Sequence, residues 1–296
     1  MTTKASIIRR PVVAGQFYPG EPDKLREQVD GYLAQVGAGL PRPYGPDPVA
    51  LISPHAGYVY SGHVAAHAFK QAEGIDYDAI VVLGTNHRDP FAHGCSIWPE
   101  GAYAMPMGDM VIDSELAHAL MDADPHITFQ RSTHLSEHSI EVQLPFLQRV
   151  LPGTKFVPIV VVEPTLAICQ ALADALVTTL KDRRALVIAS TDLSHYPAYD
   201  EAVRADQATL TAVTSLDPMK LQASIQNSMS QDIPELHTCM CGEGPVMATM
   251  LYARAIGADQ VDILKYANSG DVAYGDKHQV VGYGAVRFAR RAAQGG

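Results

Sequence analysis

The sequence predicts a single α/β domain with a central, mixed and largely parallel sheet between two helical layers. Three observations carry that expectation. Short aliphatic runs without polar alternation recur at VALISPHAG (49–57), AIVVLGTNH (79–87) and ALVIASTDLSH (185–195), the pattern of parallel strands covered on both faces. Segments of helical spacing separate them, as βαβ units with right-handed crossovers require. Each run ends in a polar turn that carries a histidine. Ligands of open α/β sheets collect beyond the carboxyl ends of the strands, so His55, His87 and His195 are expected to converge on one sheet edge.

The elements follow in order. Leu25, Val29, Leu33 and Val36 have helical spacing behind Pro22, which suits a first turn, so residues 22–36 form an amphipathic helix. GAGLPRPYGPDP, with Pro41, Pro43, Pro46 and Pro48, excludes regular structure and reads as a connector inside one domain. A helix over 62–73 separates the first two histidine strands. STHLSEHSIEVQLPFLQ reads as a helix kinked at Pro145, with His138 and Glu141 on a shared face that either lines a pocket or is ordinary surface. FVPIVVVEP (156–164) is a further strand whose beginning Pro158 keeps outside the full ladder. Ile168, Leu172, Leu176 and Leu180 mark a helix leading into the third histidine strand. Helices follow at 200–213, 218–227 and 246–255, then two strands around a loop containing Gly270 and Gly275. With no repeat or low-complexity tract, the domain spans 1–296.

Composition narrows the function. The chain carries 32 acidic against 22 basic residues, a net charge of −10 and a pI near 5.6, which argues against a nucleic acid or an anionic membrane as partner. The basic pairs Arg9-Arg10, Arg183-Arg184 and Arg290-Arg291 read as solvated surface. Four cysteines in 296 residues are no disulfide scaffold, and no signal peptide or membrane-spanning run is visible, so a cytoplasmic protein is expected.

The histidine turns carry the chemistry. Imidazole is the commonest metal ligand and the usual acid/base near neutral pH. Pro54 and Gly57 present His55 at the strand end, where Tyr58 and Tyr60 either donate hydrogen bonds to a ligand or pack against the next helix. Arg88, next to His87, is placed to bind a carboxylate or to pair with Asp89. Asp192, three residues before His195, is placed to orient an imidazole or to cap a turn. Cys241, at a glycine-rich turn that opens a helix, would gain thiolate character there. His63 and His67 lie four apart but lack the glutamate base of an HExxH motif, so they read as an ordinary helix face.

RRPVVAGQFYPG, PHAGYVYSG, VVLGTNH, EHSIEVQLPFLQ, ASTDLSHY, the CG of CMCG, and NSGDV with VVGYGAV, in this order along nearly the whole chain, resemble the Memo-like family, which includes AmmeMemoRadiSam system protein B. The family is similar in fold to class III extradiol ring-cleaving dioxygenases. The resemblance implies His55, His87 and Cys241 as metal ligands and His195 as the acid/base, with Asp192 beside it; from the residues themselves, Tyr58, Tyr60, Arg88 and His138 are the expected substrate-binding side chains. It departs from the dioxygenases in offering a thiolate where they use a carboxylate, and in an extra thiol, Cys239, that could compete for metal or form a disulfide.

The function expected is a metal-dependent oxidoreductase with one transition-metal ion, Fe(II) or Cu favoured and Zn admissible. The alternative is a non-catalytic module on the same fold that binds a small molecule, a peptide, a metal or a partner enzyme, including radical-SAM or Amme-type proteins of the same pathway. A thiol hydrolase using Cys241 and His195 is a third reading.

Overall fold

The aliphatic runs of the sequence are strands buried along their whole length. In the computed structural model residues 7–37 and 45–291 are described, so Pro41 and Pro43 of the connector lie outside the described residues. The chain forms β1 (Ile8–Arg9), α1 (Pro22–Gln35), β2 (Pro48–Ser53), α2 (Tyr58–Phe69), β3 (Ala79–Thr85), β4 (Cys95–Ile97), β5 (Ala102–Tyr103) and β6 (Met110–Val111). It continues with α3 (Ser114–Ala123), β7 (Ile127–Thr128), α4 (Arg131–Leu135), α5 (Leu144–Val150), β8 (Val157–Val161), α6 (Leu166–Leu180) and β9 (Ala185–Ser190). The last elements are α7 (Tyr199–Thr214), α8 (Pro218–Met229), α9 (Glu243–Ala255), β10 (Gln260–Asn268) and β11 (Gly282–Ala289).

The main sheet has the order β10-β11-β2-β9-β3-β8-β4-β7. Its centre, β2-β9-β3-β8, is parallel, and antiparallel partners β11 and β4 flank it. Helices α1, α2 and α5 pack on one face, and α3, α6 and α9 on the other, with α8 against α9. This is the expected three-layer α/β domain. Because β9 inserts between β2 and β3, three consecutive neighbours in the sheet are the three histidine strands. That adjacency brings the chemistry-bearing turns together.

Several boundaries differ from the sequence reading for identifiable reasons. Helix α2 begins at Tyr58, four residues before the expected Gly62, because Gly57 already serves as its N-cap. The expected kinked helix over the EHSIEVQLPF region is instead α4, an irregular stretch with His138, a 3-10 turn at Glu141–Gln143, and α5. Pro145 sits in the first turn of α5, where its missing N–H costs nothing, so it starts a helix rather than bending one. His138 and Glu141 therefore do not share a face. Pro158 stands inside β8 opposite Val82, but the β4 ladder pairs only from Ile159 onward, so the missing donor falls where that ladder ends.

Arg9 corrects a second expectation. It is not solvated surface but fully buried at 0 % exposure. Its guanidinium pairs with the Glu141 carboxylate and donates to the carbonyls of Glu137 and, at 3.1 Å, His134. Glu141 in turn accepts the Val12 and Val13 N–H groups and the Tyr18 hydroxyl. A buried ion pair survives only when its remaining hydrogen-bonding capacity is filled in this way. The network clamps the N-terminal segment to the irregular stretch that carries Glu137 and His138.

Candidate metal centre

Two close approaches bring the turns into register. Gly84, next to last in β3, lies so near residues 139 and 140 that a Cβ would stand 2.6 Å from both Ser139 Oγ and Ile140 Cγ1. Gly242, after Cys241, approaches the end of β9 so closely that a Cβ would stand 2.5 Å from the Ser190 carbonyl oxygen. The first lets the loop of Glu137 and His138 lie on β3. The second lets the Cys241 turn lie on β9, where Gly242 N–H donates to Thr191 Oγ1 at 2.8 Å and Thr85 Oγ1 donates to the Cys241 carbonyl at 2.9 Å.

His55, His87 and His138 come together here, with one ligand atom from each lying within 4.8 Å of the others. Their ring centroids are 5.3, 5.5 and 4.9 Å apart. His55 is buried, His138 half-buried and His87 open to solvent. An open depression of about 380 Å³ formed by residues 86–90 lies over His87. Cys241 Sγ lies 3.3 Å from His55 Nε2 and accepts the Asp192 N–H at 3.3 Å. Among the described residues His63 and His67 join no such group.

The hydrogen bonds fix which nitrogen of each ring is available. Ser190 Oγ has a single proton, which it donates to the Ser139 carbonyl at 2.7 Å, while it accepts Gln143 Nε2 at 2.8 Å. Its contact with His55 Nδ1, at 2.9 Å, must then be one in which the ring donates. His55 therefore carries its proton on Nδ1 and presents a lone pair on Nε2. Glu137 does the same for His87: its carboxylate accepts His87 Nδ1–H at 3.0 Å and His87 N–H at 2.8 Å. Glu137 also accepts the N–H groups of His138 and Ser139. Burial pushes this carboxyl up, but those donors and the neighbouring imidazoles outweigh it and hold the group at about 2. A carboxylate or hydroxyl behind each ligating imidazole is the arrangement that orients rings toward a metal.

Burial, then the neighbouring imidazoles, hold His55 well below its ordinary value, so it stays a neutral donor. His138 is likewise lowered by burial, with Glu137 opposing, and packs edge-on against Phe17 at 5.0 Å. The QFYPG segment thereby forms part of the site wall. Burial pushes the Cys241 thiol up, with the Asp192 charge adding to it, so without a cation the sulfur stays protonated.

Asp192 and His195 border the same centre. Asp192 is buried, accepts the His55 N–H at 2.8 Å, and has Oδ2 4.0 Å from His55 Nε2. Burial pushes its carboxyl up to about 7 against the opposing pull of the His55 and Ala56 N–H groups. His195 donates Nδ1–H to the Leu193 carbonyl at 2.9 Å, which leaves Nε2 as its free acceptor. The next residue, Tyr196, has φ +73°, a left-handed conformation that is costly for a tyrosine. The segment 280–282 holds it there through Tyr196 N–H to the Val280 carbonyl and reciprocal bonds between 193–194 and Gly282.

The remaining expected residues divide. Tyr60 is 43 % exposed at the start of α2, and Arg88 is exposed beside His87; the Arg88 charge depresses His138. Tyr58 is buried, with its hydroxyl donating to the Val142 carbonyl at 2.7 Å and its ring against Tyr18 and Phe146, so it packs the core. Cys239 is buried and its thiol bonds on the Ser228 side, near Asp206, away from the His55 thiol partner; all four cysteines are free. Ser190 and Gln143 were not singled out from sequence, and Glu137 was noted only among the acids and histidines of a helix that lines a pocket or is ordinary surface. The EHS tripeptide held the one signal, an acid beside a histidine within a loop.

Fold and site together define an α/β protein with a histidine cluster at the carboxyl edge of a mixed sheet. The family model for Memo-like proteins matches residues 9–287. A MEMO1 family protein of Methanopyrus kandleri is 39 % identical over 290 residues, covering 95 % of this chain and 99 % of the relative. Others are 37 % identical over 294 residues, in Sulfurisphaera tokodaii (95 % and 99 %), and 38 % over 292 residues, in Methanothermobacter thermautotrophicus (94 % and 99 %). The chain belongs to the Memo-like family. No helix among the described residues is long and apolar enough to cross a membrane.

Proposed function

We propose that this protein is a metal-dependent oxidoreductase in which His55, His87 and Cys241 hold one transition-metal ion, Fe(II) or Cu in preference to Zn. The observation that carries the reading is the preset protonation of the two histidines. Ser190 and Glu137 occupy both Nδ1 positions, so both Nε2 lone pairs are committed to the shared space. The 3.3 Å from Cys241 Sγ to His55 Nε2 matches the roughly 3.1–3.6 Å between nitrogen and sulfur ligands on one ion, given bonds of about 2.0 and 2.3 Å. His138, rather than Cys241, completes the group of three whose ligand atoms lie within 4.8 Å of one another among the described residues, so it competes with the thiolate for the third ligand place. Thiolate and imidazole donors suit copper, iron and zinc, but only copper or iron would supply a redox-active centre open to small ligands, since zinc has no accessible second oxidation state.

The chain's own residues then divide the work. Binding displaces the proton of Cys241, which the buried thiol otherwise retains. Asp192 accepts the His55 N–H and so fixes the backbone that presents this ligand, with its second oxygen facing the centre. His195 offers Nε2 as acid or base. Arg88 and Tyr60 at the rim receive the polar end of a small-molecule or peptide substrate.

Elemental analysis of anaerobically purified protein tests this directly. Wild type and Tyr60→Phe are expected to hold about one ion per chain, and His55→Ala, His87→Ala and Cys241→Ala to lose it. Retention by Cys241→Ala with loss in His138→Ala would overturn the thiolate assignment. Absence of metal from folded, reconstituted wild type would replace the enzyme by a binding module.

A further inference from the structure

Three arginines that look like scattered surface charge in the sequence, Arg183, Arg184 and Arg290, meet at the opposite edge of the sheet. A cavity of about 270 Å³ opens between the start of β2, the turn from α6 into β9, and the chain after β11. Lys181, Arg183, Arg184 and Arg290 line it against a single acid, Asp47. Four cations on one small concavity are a marked concentration in a chain of net charge −10. Arg184 pairs with Asp47 and lies over the Tyr77 ring at 5.9 Å, while Arg183 Nη1 is 3.7 Å from Asp113 Oδ2. Lys181 Nζ in turn lies 3.9 Å from Asp182 Oδ2, so three of the cations are held at the wall by carboxylates, two of which stand outside the cavity, and the lining itself has four cations to one acid. Arg290 lies close enough to Tyr252 to pull against the rise that burial imposes on that phenol.

We propose that this cavity is an anion site for a small phosphorylated molecule. Planar, permanently charged guanidinium groups suit phosphate oxygens, which they bind in bidentate fashion. The cavity is too small for a polymer, and the acidic remainder of the surface repels polyanions, so the ligand is a small molecule. The site is separate from the metal centre: β2 and β9 each run six residues between the two, about 20 Å at the strand rise.

The test uses the full chain with inorganic pyrophosphate and a nucleoside monophosphate as probes, in EDTA at constant ionic strength, read by calorimetry and by thermal unfolding. Saturable binding and a rise in Tm are expected, with affinity weakened at least tenfold in Arg184→Gln and in Arg290→Gln. Arg290 is exposed and follows the last residue of β11, so its variant keeps the test valid if Arg184→Gln fails to fold. Arg26→Gln, on exposed α1, and His87→Ala are expected to bind as wild type does. Non-saturable binding, an equal response to chloride, or loss in His87→Ala with retention in Arg290→Gln would each overturn the assignment.

Discussion

Replacing Glu137 by Gln isolates the role of the group behind the site. The carboxylate serves five contacts: the His87 N–H, His87 Nδ1–H from both oxygens, and the His138 and Ser139 N–H groups. Glutamine has the same shape but only one acceptor oxygen. Whichever way its amide turns, an NH2 faces at least one backbone donor, and a buried donor left without its acceptor costs about 1–3 kcal/mol. The His87 ring also loses its charged anchor, and partners of this kind change metal affinity by about 10–100-fold, or roughly 1.4–2.8 kcal/mol. Metal titration against a competing chelator should show that weakening, while chemical unfolding of the metal-free protein shows the stability loss. The pH dependence has a defined sign. Because the folded group titrates near 2 rather than 4.5, wild type gains about 3 kcal/mol from it above pH 4.5 and loses this as pH falls toward 2. Glu137→Gln should lack that acid limb. A variant whose metal affinity stays within twofold of wild type and whose acid unfolding is unchanged would refute the reasoning.

Two further outcomes are expected away from the histidines themselves. Gly242→Ala forces a methyl against the Ser190 carbonyl and Thr191, so urea unfolding should show a loss of about 1–3 kcal/mol, with weaker metal binding as the Cys241 turn lifts off β9; unchanged stability would contradict the close approach. Asp206 is buried beneath the His195 turn, accepting Ser194 N–H and the Tyr266 hydroxyl, and burial pushes it up to about 7. Folding therefore binds a proton between pH 3.8 and 7, and wild type loses about 4 kcal/mol as pH rises across that window relative to Asp206→Asn, whose oxygen accepts the Ser194 N–H while its NH2 donates to the Tyr266 oxygen; a constant difference from pH 4 to 8 would show the carboxyl to be unperturbed.

The sequence by itself determined the fold class, the long strands and the helices with a clear apolar period. Strands covered on both faces must be uninterrupted apolar runs, so β2, β3, β8 and β9 were legible without any partner in view. The turns after β2 and β3 announced His55 and His87 through Pro54, Gly57 and Gly84, and His195 was legible from its equivalent place after a third apolar run. The short strands β4 to β7 were not legible, since two or three residues carry no period.

Only the tertiary structure decided the roles of residues whose partners are distant. Arg9 looks like surface until Glu141, 132 residues later, neutralises it in the core. His138 and Glu141 looked like one helical face, yet the chain unwinds there and the close approach at Gly84 sets the loop of Glu137 and His138 against β3. Arg183, Arg184 and Arg290 share a cavity only because β9 and β11 flank β2. Local sequence encodes backbone preference within a few residues, whereas the sign and use of a buried charge depend on what the fold places opposite it.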